Sequence, residues 1–179
     1  MSATRIRVHL NAPPAAVYRA LLDPAAVAAW MVPPGMTSRV HAFDAREGGA
    51  FRISLTSDAA TETGKTTAHT DTRHGRFVTL APNERVVETV EFETSDPALQ
   101  GEMTISFAPT AANGGTDLLA VRDHLPPGLS PADNELGCRW PSWRRWWTPA
   151  DPTRRRGLHP SNIVAVAERA DALGSDQPP

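Results

Sequence analysis

From Thr37 to Asp123 the apolar residues fall on every second position, and this alternation constrains the chain more than any other feature. Phe51, Ile53 and Leu55 alternate with Arg52, Ser54 and Thr56. Val86, Val90 and Phe92 lie on one side of "RVVETVEFE", and Met103, Ile105 and Phe107 on one side of "EMTISFAP". A period of two belongs to strands, whose successive side chains point to opposite faces. The interruptions "REGG", "APNE", "SDPALQG" and "ANGG" are turn sequences. "TTAHTDTRHGRFVTLA" is a polar strand candidate and "GTDLLAVRDHL" supplies the last strand. The paired glycines of "FDAREGG" suit a turn or bulge.

The first residues read differently. Thr4–Leu10 alternates as an opening strand, with Ile6, Val8 and Leu10 on one face. In "NAPPAAVYRALLDP", Asn11 is the expected cap and the two prolines fit a first helical turn. Val17, Ala20 and Leu21 form an apolar stripe at helical spacing, and Pro24 stops or restarts the helix. "AAVAAWMVPPG" predicts a second short helix closed by Pro33, Pro34 and Gly35. The expectation is therefore α+β: a strand and two short helices, with a curved antiparallel sheet of about six or seven strands. A sheet with one apolar face needs cover, and two short helices are too little. A long C-terminal helix is required, and one is expected to start at Ser130, with Pro131 in its first position and Asp133 in its first turn.

That helix meets an obstacle. "GCRWPSWRRWWTPADPTRRRG", Gly137 to Gly157, carries four of the five tryptophans, six arginines and three prolines. Pro141, Pro149 and Pro152 break any helix within a few turns. Arginine on phosphates with tryptophan stacking on bases, or seated at a membrane interface, is one reading of the cluster. The prolines deny it a continuous amphipathic face, so an irregular tail is the expectation: a domain over 1–139 and a Trp/Arg/Pro-rich segment over 140–179.

Composition narrows the classes. A net charge of −2 gives no drive toward nucleic acid or acidic membranes. No apolar run approaches the ~18 residues of a membrane span, and no secretory signal pattern is read at the start. One cysteine, Cys138, makes no internal disulfide, which points to a reducing cytoplasm. No P-loop, nucleophile elbow, Ser/His/Asp motif or paired-cysteine metal site is present, so no cofactor is expected. His69, Asp71, Arg73 and His74 do not converge, because alternation sends His69 and Asp71 to one side and His74 to the other.

Taken in order, the opening helices, "FDAREGGAFRI", "GRFVTLAPNERVVETVEFE" and "NGGTDLLAVRDHLPPGLSPADNELG" resemble the activator-of-heat-shock-protein-90-ATPase-like branch of the START-like SRPBCC superfamily. The resemblance covers about residues 4–139. It implies a helix-grip fold, in which a curved antiparallel sheet wraps a long C-terminal helix around an apolar cavity. It also implies binding of a small hydrophobic molecule, or contact with a chaperone in a stress response, with cyclase- or hydrolase-type catalysis in a few members. Arg122 stands where many relatives carry histidine, and Cys138 where tryptophan is common.

The tail departs from that pattern, and a reading-frame change explains how. One permitted codon choice for "RWPSWRRWWTPAD", read two bases later, gives Leu-Ala-Leu-Val-Ala-Lys-Val-Val-Asp-Ala-Gly, an apolar helix ending at a glycine. The basic residues are 17 Arg and one Lys, Lys65, a skew that fits a GC-rich gene with long alternative frames. The C-terminal helix is accordingly expected to be truncated or disrupted. The coding DNA across Gly137–Asp151 tests this directly.

With a cavity implied by the resemblance, strand phase selects its walls: Trp30, Phe51, Ile53, Phe77, Val90, Phe92, Met103 and Ile105. Glu88, in phase with Val86 and Val90, is either a cavity carboxyl or a rim residue reaching water or an arginine. Arg122 and His124 share a strand face with Leu118 and Ala120 and are candidates for a ligand's polar group, or for solvation near the strand end. Trp30 is either a lid over the cavity mouth or plain core. Glu88 and His124 would be the acid or base of a catalytic variant, although the expectation is binding without catalysis.

Overall fold

The computed structural model describes residues 3–58, 64–67 and 69–130. The helix expected after Ser130, the 139/140 boundary and the Trp140–Pro179 tail lie outside those residues. Among the described residues the strands are β1 (Thr4–Leu10), β2 (Met36–Phe43), β3 (Ala50–Ser57), β4 (Thr70–Ala81), β5 (Arg85–Phe92), β6 (Met103–Ala112) and β7 (Gly115–Asp123). The helices are α1 (Pro14–Leu21) and α2 (Pro24–Trp30). The strands form one antiparallel, curled sheet in the order β1-β7-β6-β5-β4-β3-β2, the expected α+β helix-grip architecture.

From β2 onward each strand pairs with its successor, while β1 pairs with β7. The chain leaving β1 must therefore travel from one edge of the sheet to the other before β2 begins. The two helices make that crossing, with α1 packed on β5, β6 and β7 and α2 on β2. Their buried stripe, Val17, Ala20 and Leu21 on α1 and Ala26, Val27 and Trp30 on α2, joins the core.

Helix α1 is not capped by Asn11. Pro13 occupies the cap position in an extended conformation with no side-chain hydrogen bond, and Pro14 opens the helix. A residue before proline is pushed away from the helical region, so the tandem prolines delay the start beyond Asn11. Helix α2 has the stronger start, since the Asp23 carboxylate accepts from the Ala25 and Ala26 amides at 2.9 and 3.4 Å.

Two bulges bend the sheet, one between Val40 and Ala42 and one between Phe77 and Thr79. The second is where the "REGG" turn docks: the Gly48 amide donates to the Phe77 carbonyl and the Phe77 amide to the Gly49 carbonyl. Gly48 adopts φ of 77°, as the expected turn role requires. Gly75 is needed for space instead. A Cβ there would lie 2.0 Å from the Thr89 carbonyl oxygen and 2.5 Å from the Phe51 ring. Backbone cannot yield cheaply, so Gly75→Ala should destabilise the fold by about 2–3 kcal/mol in chemical denaturation, as overpacking does.

Strand β7 ends at Asp123, and His124 follows in the left-handed region at φ of 61°, exposed. His124 therefore does not continue the Leu118–Arg122 face as expected. The reversal at His124 sends Leu125, 8% exposed, into the core.

Candidate functional site

Cross-strand register sorts the inner face into rows. Phe77 faces Glu88, Glu88 faces Ile105 and Ile105 faces Arg122, so these four share one row across β4 to β7. The next row is Phe51, Gly75, Val90 and Met103, and the one after it is Ile53, Arg73 and Phe92. Glu88 thus sits in the middle of the sheet, under the helices, with apolar side chains on either side.

The aromatic residues around it are tightly organised. Phe43, Phe51 and Phe77 form a mutual cluster with centroids 5.3 to 6.3 Å apart. Trp30 meets Phe107 edge-on at 6.4 Å, and its indole N–H donates to the Ala20 carbonyl at 3.1 Å. With 1% exposure, Trp30 ties α2 to α1 as core rather than standing free as a lid. Replacing it with Phe strands a buried carbonyl and is expected to lower stability by about 1–3 kcal/mol, read as an earlier urea midpoint.

A pocket opens against Glu88, lined by Leu21, Val27, Trp30, Met31, Phe43, Phe51, Ile53, Arg73 and Phe107. The space available to the centre of a water molecule is about 10 Å³, enough for on the order of one water. Glu88 is only 7% exposed, and no hydrogen bond or ion pair joins its carboxyl to another described residue. Burial pushes its carboxyl up to about 7, while the positive charges of Arg73 and Arg122 oppose the rise. It is a carboxyl poised between its two charge states near neutral pH.

The opposite face of the sheet is polar and self-satisfied. Arg52 binds Glu93 through two hydrogen bonds of 2.7 Å, and His74 lies 3.6 Å from the same carboxylate. The Arg52 guanidinium holds Glu93 below the usual carboxylate range. His41, Ser54 and Thr72 form a chain of 2.8 Å hydrogen bonds beside them. On the inner face, one row beyond Arg73, Asp71 is bound by Lys65, whose ammonium stands 5.6 Å from the Phe92 ring centroid. Among the described residues no three His, Cys, Asp or Glu side chains converge as metal ligands.

Of the residues expected from strand phase, the pocket brings together Trp30, Phe51, Ile53 and Glu88, with Phe77 packed behind them. Val90, Met103 and Ile105 are buried on the same face in the adjoining rows without lining this pocket. Phe92 is partly buried at the row's end, and Arg122 reaches Glu88 through its charge. Arg73, Phe43, Met31, Leu21, Val27 and Phe107 are pocket residues that the sequence reading did not select. Arg73 is in phase with Phe77, but the sequence placed it only in the group of His69, Asp71, Arg73 and His74 that does not converge on a metal.

Comparison with known proteins follows from this geometry. Residues 11–139 match the family model described as Activator of Hsp90 ATPase homolog 1-like protein. A solved protein from Chromobacterium violaceum is 31% identical and superposes with a TM-score of 0.73, over 83% of this chain and 98% of its own. A Rhodobacter sphaeroides protein shares 20% identity, 77% and 85% coverage and a TM-score of 0.63. A Mycobacterium smegmatis protein shares 15% identity, 83% and 92% coverage and a TM-score of 0.64; these last two show likeness of fold. No curated protein matches the chain.

Proposed function

The chain belongs to the Activator of Hsp90 ATPase homolog 1-like family, and from that premise we propose that it binds a small hydrophobic molecule on the inner face of its sheet. One observation carries the reading: an apolar pocket that meets a single buried carboxyl, Glu88, beneath α1 and α2. Ligand sites are mostly apolar with a few placed polar groups, which is the composition here. On this reading Trp30, Phe51 and Ile53 are walls of the pocket as it stands. Phe77, Val90, Phe92, Met103 and Ile105 join them only when it widens for a ligand, and Glu88, Arg73 and Arg122 supply the polar contacts.

The pocket holds about one water, whereas drug-sized ligands occupy about 300 Å³ or more. Binding therefore requires the pocket to widen, which makes small, compact ligands the first to test. Small apolar ligands should raise the melting temperature in proportion to the logarithm of their concentration, with a negative heat-capacity change of binding. A set of such ligands that leaves the melting temperature unmoved would remove the reading.

The family description supports a second reading, a module that contacts a chaperone and raises its ATPase rate. Its expected result is a saturable complex with an Hsp90 and faster ATP hydrolysis, undiminished by the Glu88→Gln substitution. Among the described residues no helix is long and apolar enough to cross a membrane.

A further inference from the structure

We propose that His41 is a positioning residue for the pocket: it holds the bulge that seats Phe43 in the pocket wall. Release of that bulge puts Ala42 in the place of Phe43 and widens the pocket. The consequence for ligands rests on the binding role proposed above, whereas the placing of Phe43 does not.

Along β2 the inner phase runs through Met36, Ser38 and Val40, opposite Ser57, Leu55 and Ile53. Continued in steps of two, it would reach Ala42 and send Phe43 to the outer face. The bulge reverses this. Ile53 and Arg52 are adjacent on β3, yet their partners are Val40 and Ala42, so His41 is the extra residue and Phe43 comes to face Phe51. Exposure follows the same skip: His41 and Ala42 are both exposed, and Phe43 is partly buried. Phe43 thereby stands with its ring centroid 6.3 Å from that of Phe51 and 5.4 Å from that of Phe77, and lines the pocket.

Among the described residues β2 ends the sheet, with β3 as its neighbour. An extra residue interrupts the ladder there and has to be held by other means. The His41 ring does this from the outer face. Its Nε2 lies 2.8 Å from the Ser54 Oγ, which lies 2.8 Å from the Thr72 Oγ1. The extra residue is thus tied to β3 and, through Ser54, to β4, the strands that carry the pocket residues Ile53 and Arg73. The alternative register is close at hand. Pairing His41 with Arg52 and Ala42 with Phe51 restores the period of two, and the turn that follows, with Gly48 and Gly49, absorbs a shift of one position. A methyl group then stands where a phenyl ring stood. Burial of Phe43 and the His41–Ser54 bond favour the bulged register, and the regained ladder favours the regular one. Loss of the bond moves this balance toward the regular register by about tenfold, the scale of one hydrogen bond.

The test uses the full chain with its five phenylalanines replaced by 4-fluorophenylalanine, the Phe43 line being assigned by its loss in Phe43→Leu. In His41→Ala the Phe43 fluorine line should broaden and shift toward the solvent-exposed position. Naphthalene, titrated by calorimetry, should bind about tenfold more tightly than to the parent, because apparent affinity follows the fraction of chains in the open register. His41→Gln places an amide near the position of Nε2 and should restore both parental values. Adding Ala42→Phe to His41→Ala should abolish the gain for naphthalene, since a ring then stands in the wall in either register. Ser54→Ala removes the same bond from the other side and provides the comparison should His41→Ala fold poorly.

A Phe43 line that keeps its parental position in both His41→Ala and Ser54→Ala overturns the inference and leaves the binding role standing. Equal displacement in His41→Ala and His41→Gln overturns it as well, because the bond to Ser54 would then not be what holds the bulge. A gain for naphthalene that survives Ala42→Phe overturns the exchange of Ala42 for Phe43. A displaced Phe43 line with naphthalene bound by no variant supports the positioning by His41 and overturns the binding role.

Discussion

Glu88→Gln should gain about 3 kcal/mol of stability relative to the parent between pH 4.5 and pH 8. The carboxyl ionises at about 7 in the folded chain, against an ordinary value of 4.5. A group whose folded value is raised favours the folded state only while it stays protonated. Below about pH 4.5 it is protonated in both states and contributes no difference. Between 4.5 and 7 the unfolded chain releases the proton and the folded chain keeps it, so parental stability falls as pH rises. Above 7 the folded chain carries the buried anion and the loss is complete. A difference of 2.5 pH units, at about 1.4 kcal/mol each, sets the scale. For a domain of this size that is on the order of 10 °C in melting temperature. Glu93 works in the opposite direction, because the Arg52 guanidinium lowers its value and its contribution is lost on acidification. Its side chain is 32% exposed and that of Arg52 43%, so solvent screens the pair and its share is small. Subtracting the Glu88→Gln curve from the parental curve cancels Glu93 altogether. A flat difference across pH 4.5 to 8 would mean that Glu88 is ionised and hydrated in the folded state, and the pocket would lose its central polar group.

The order of elements could be read from the sequence because two physical signals agree along most of the chain. Alternation fixes which residues face inward, and the turn sequences fix where each strand ends. Thr4, Ile6, Val8 and Leu10 show this well, pairing in register with Arg122, Ala120, Leu118 and Thr116. The inward phase of Glu88 followed from Val86 and Val90 alone. Where the reading failed, a local rule was overridden by a neighbour. Asn11 is a good cap in isolation, but two prolines postpone the helix that it would cap. His124 continues the period of β7 on paper, yet the backbone turns left-handed there and the strand is over.

The site was harder to read than the fold, for a reason visible in Arg73. Its strand, "TDTRHGRFVTLA", is polar on both faces, so composition gives no sign of which arginine is inside. Only register, with Ile53 on one side and Phe92 on the other, places Arg73 in the buried row. Met31 entered the pocket at the end of α2, in the crossover from β1 to β2, and Phe43 at the end of β2 beyond the bulge between Val40 and Ala42, placements that no local period describes. Gly75 shows the same limit. Its role is the space that it leaves for the Phe51 ring, which depends on a strand paired from 24 positions earlier in the chain.

Met103→Glu and Phe92→Glu should differ sharply in cost although both residues share the inner phase. Met103 is 2% exposed, faces Val90 across β5 and β6, and belongs to the closed core. A carboxylate there loses its hydration, and the group must either stay protonated or distort the packing around it. The expected loss is several kcal/mol, enough to leave the chain largely unfolded at pH 8, since a whole domain is stable by about 5–15 kcal/mol. Part of that loss should be recovered near pH 4, where the new carboxyl is neutral. Phe92 lies at the end of β5, only partly buried, with the Lys65 ammonium 5.6 Å from its ring. A carboxylate at that position reaches water and finds a cation, so the loss should be about 1–2 kcal/mol, mostly from the missing ring. The two variants therefore separate position from phase, and equilibrium urea unfolding at pH 8 measures both. Equal losses would mean that the end of β5 is as closed as its centre. A smaller loss at Met103 than at Phe92 would mean that the row formed by Phe51, Gly75, Val90 and Met103 is not the buried one.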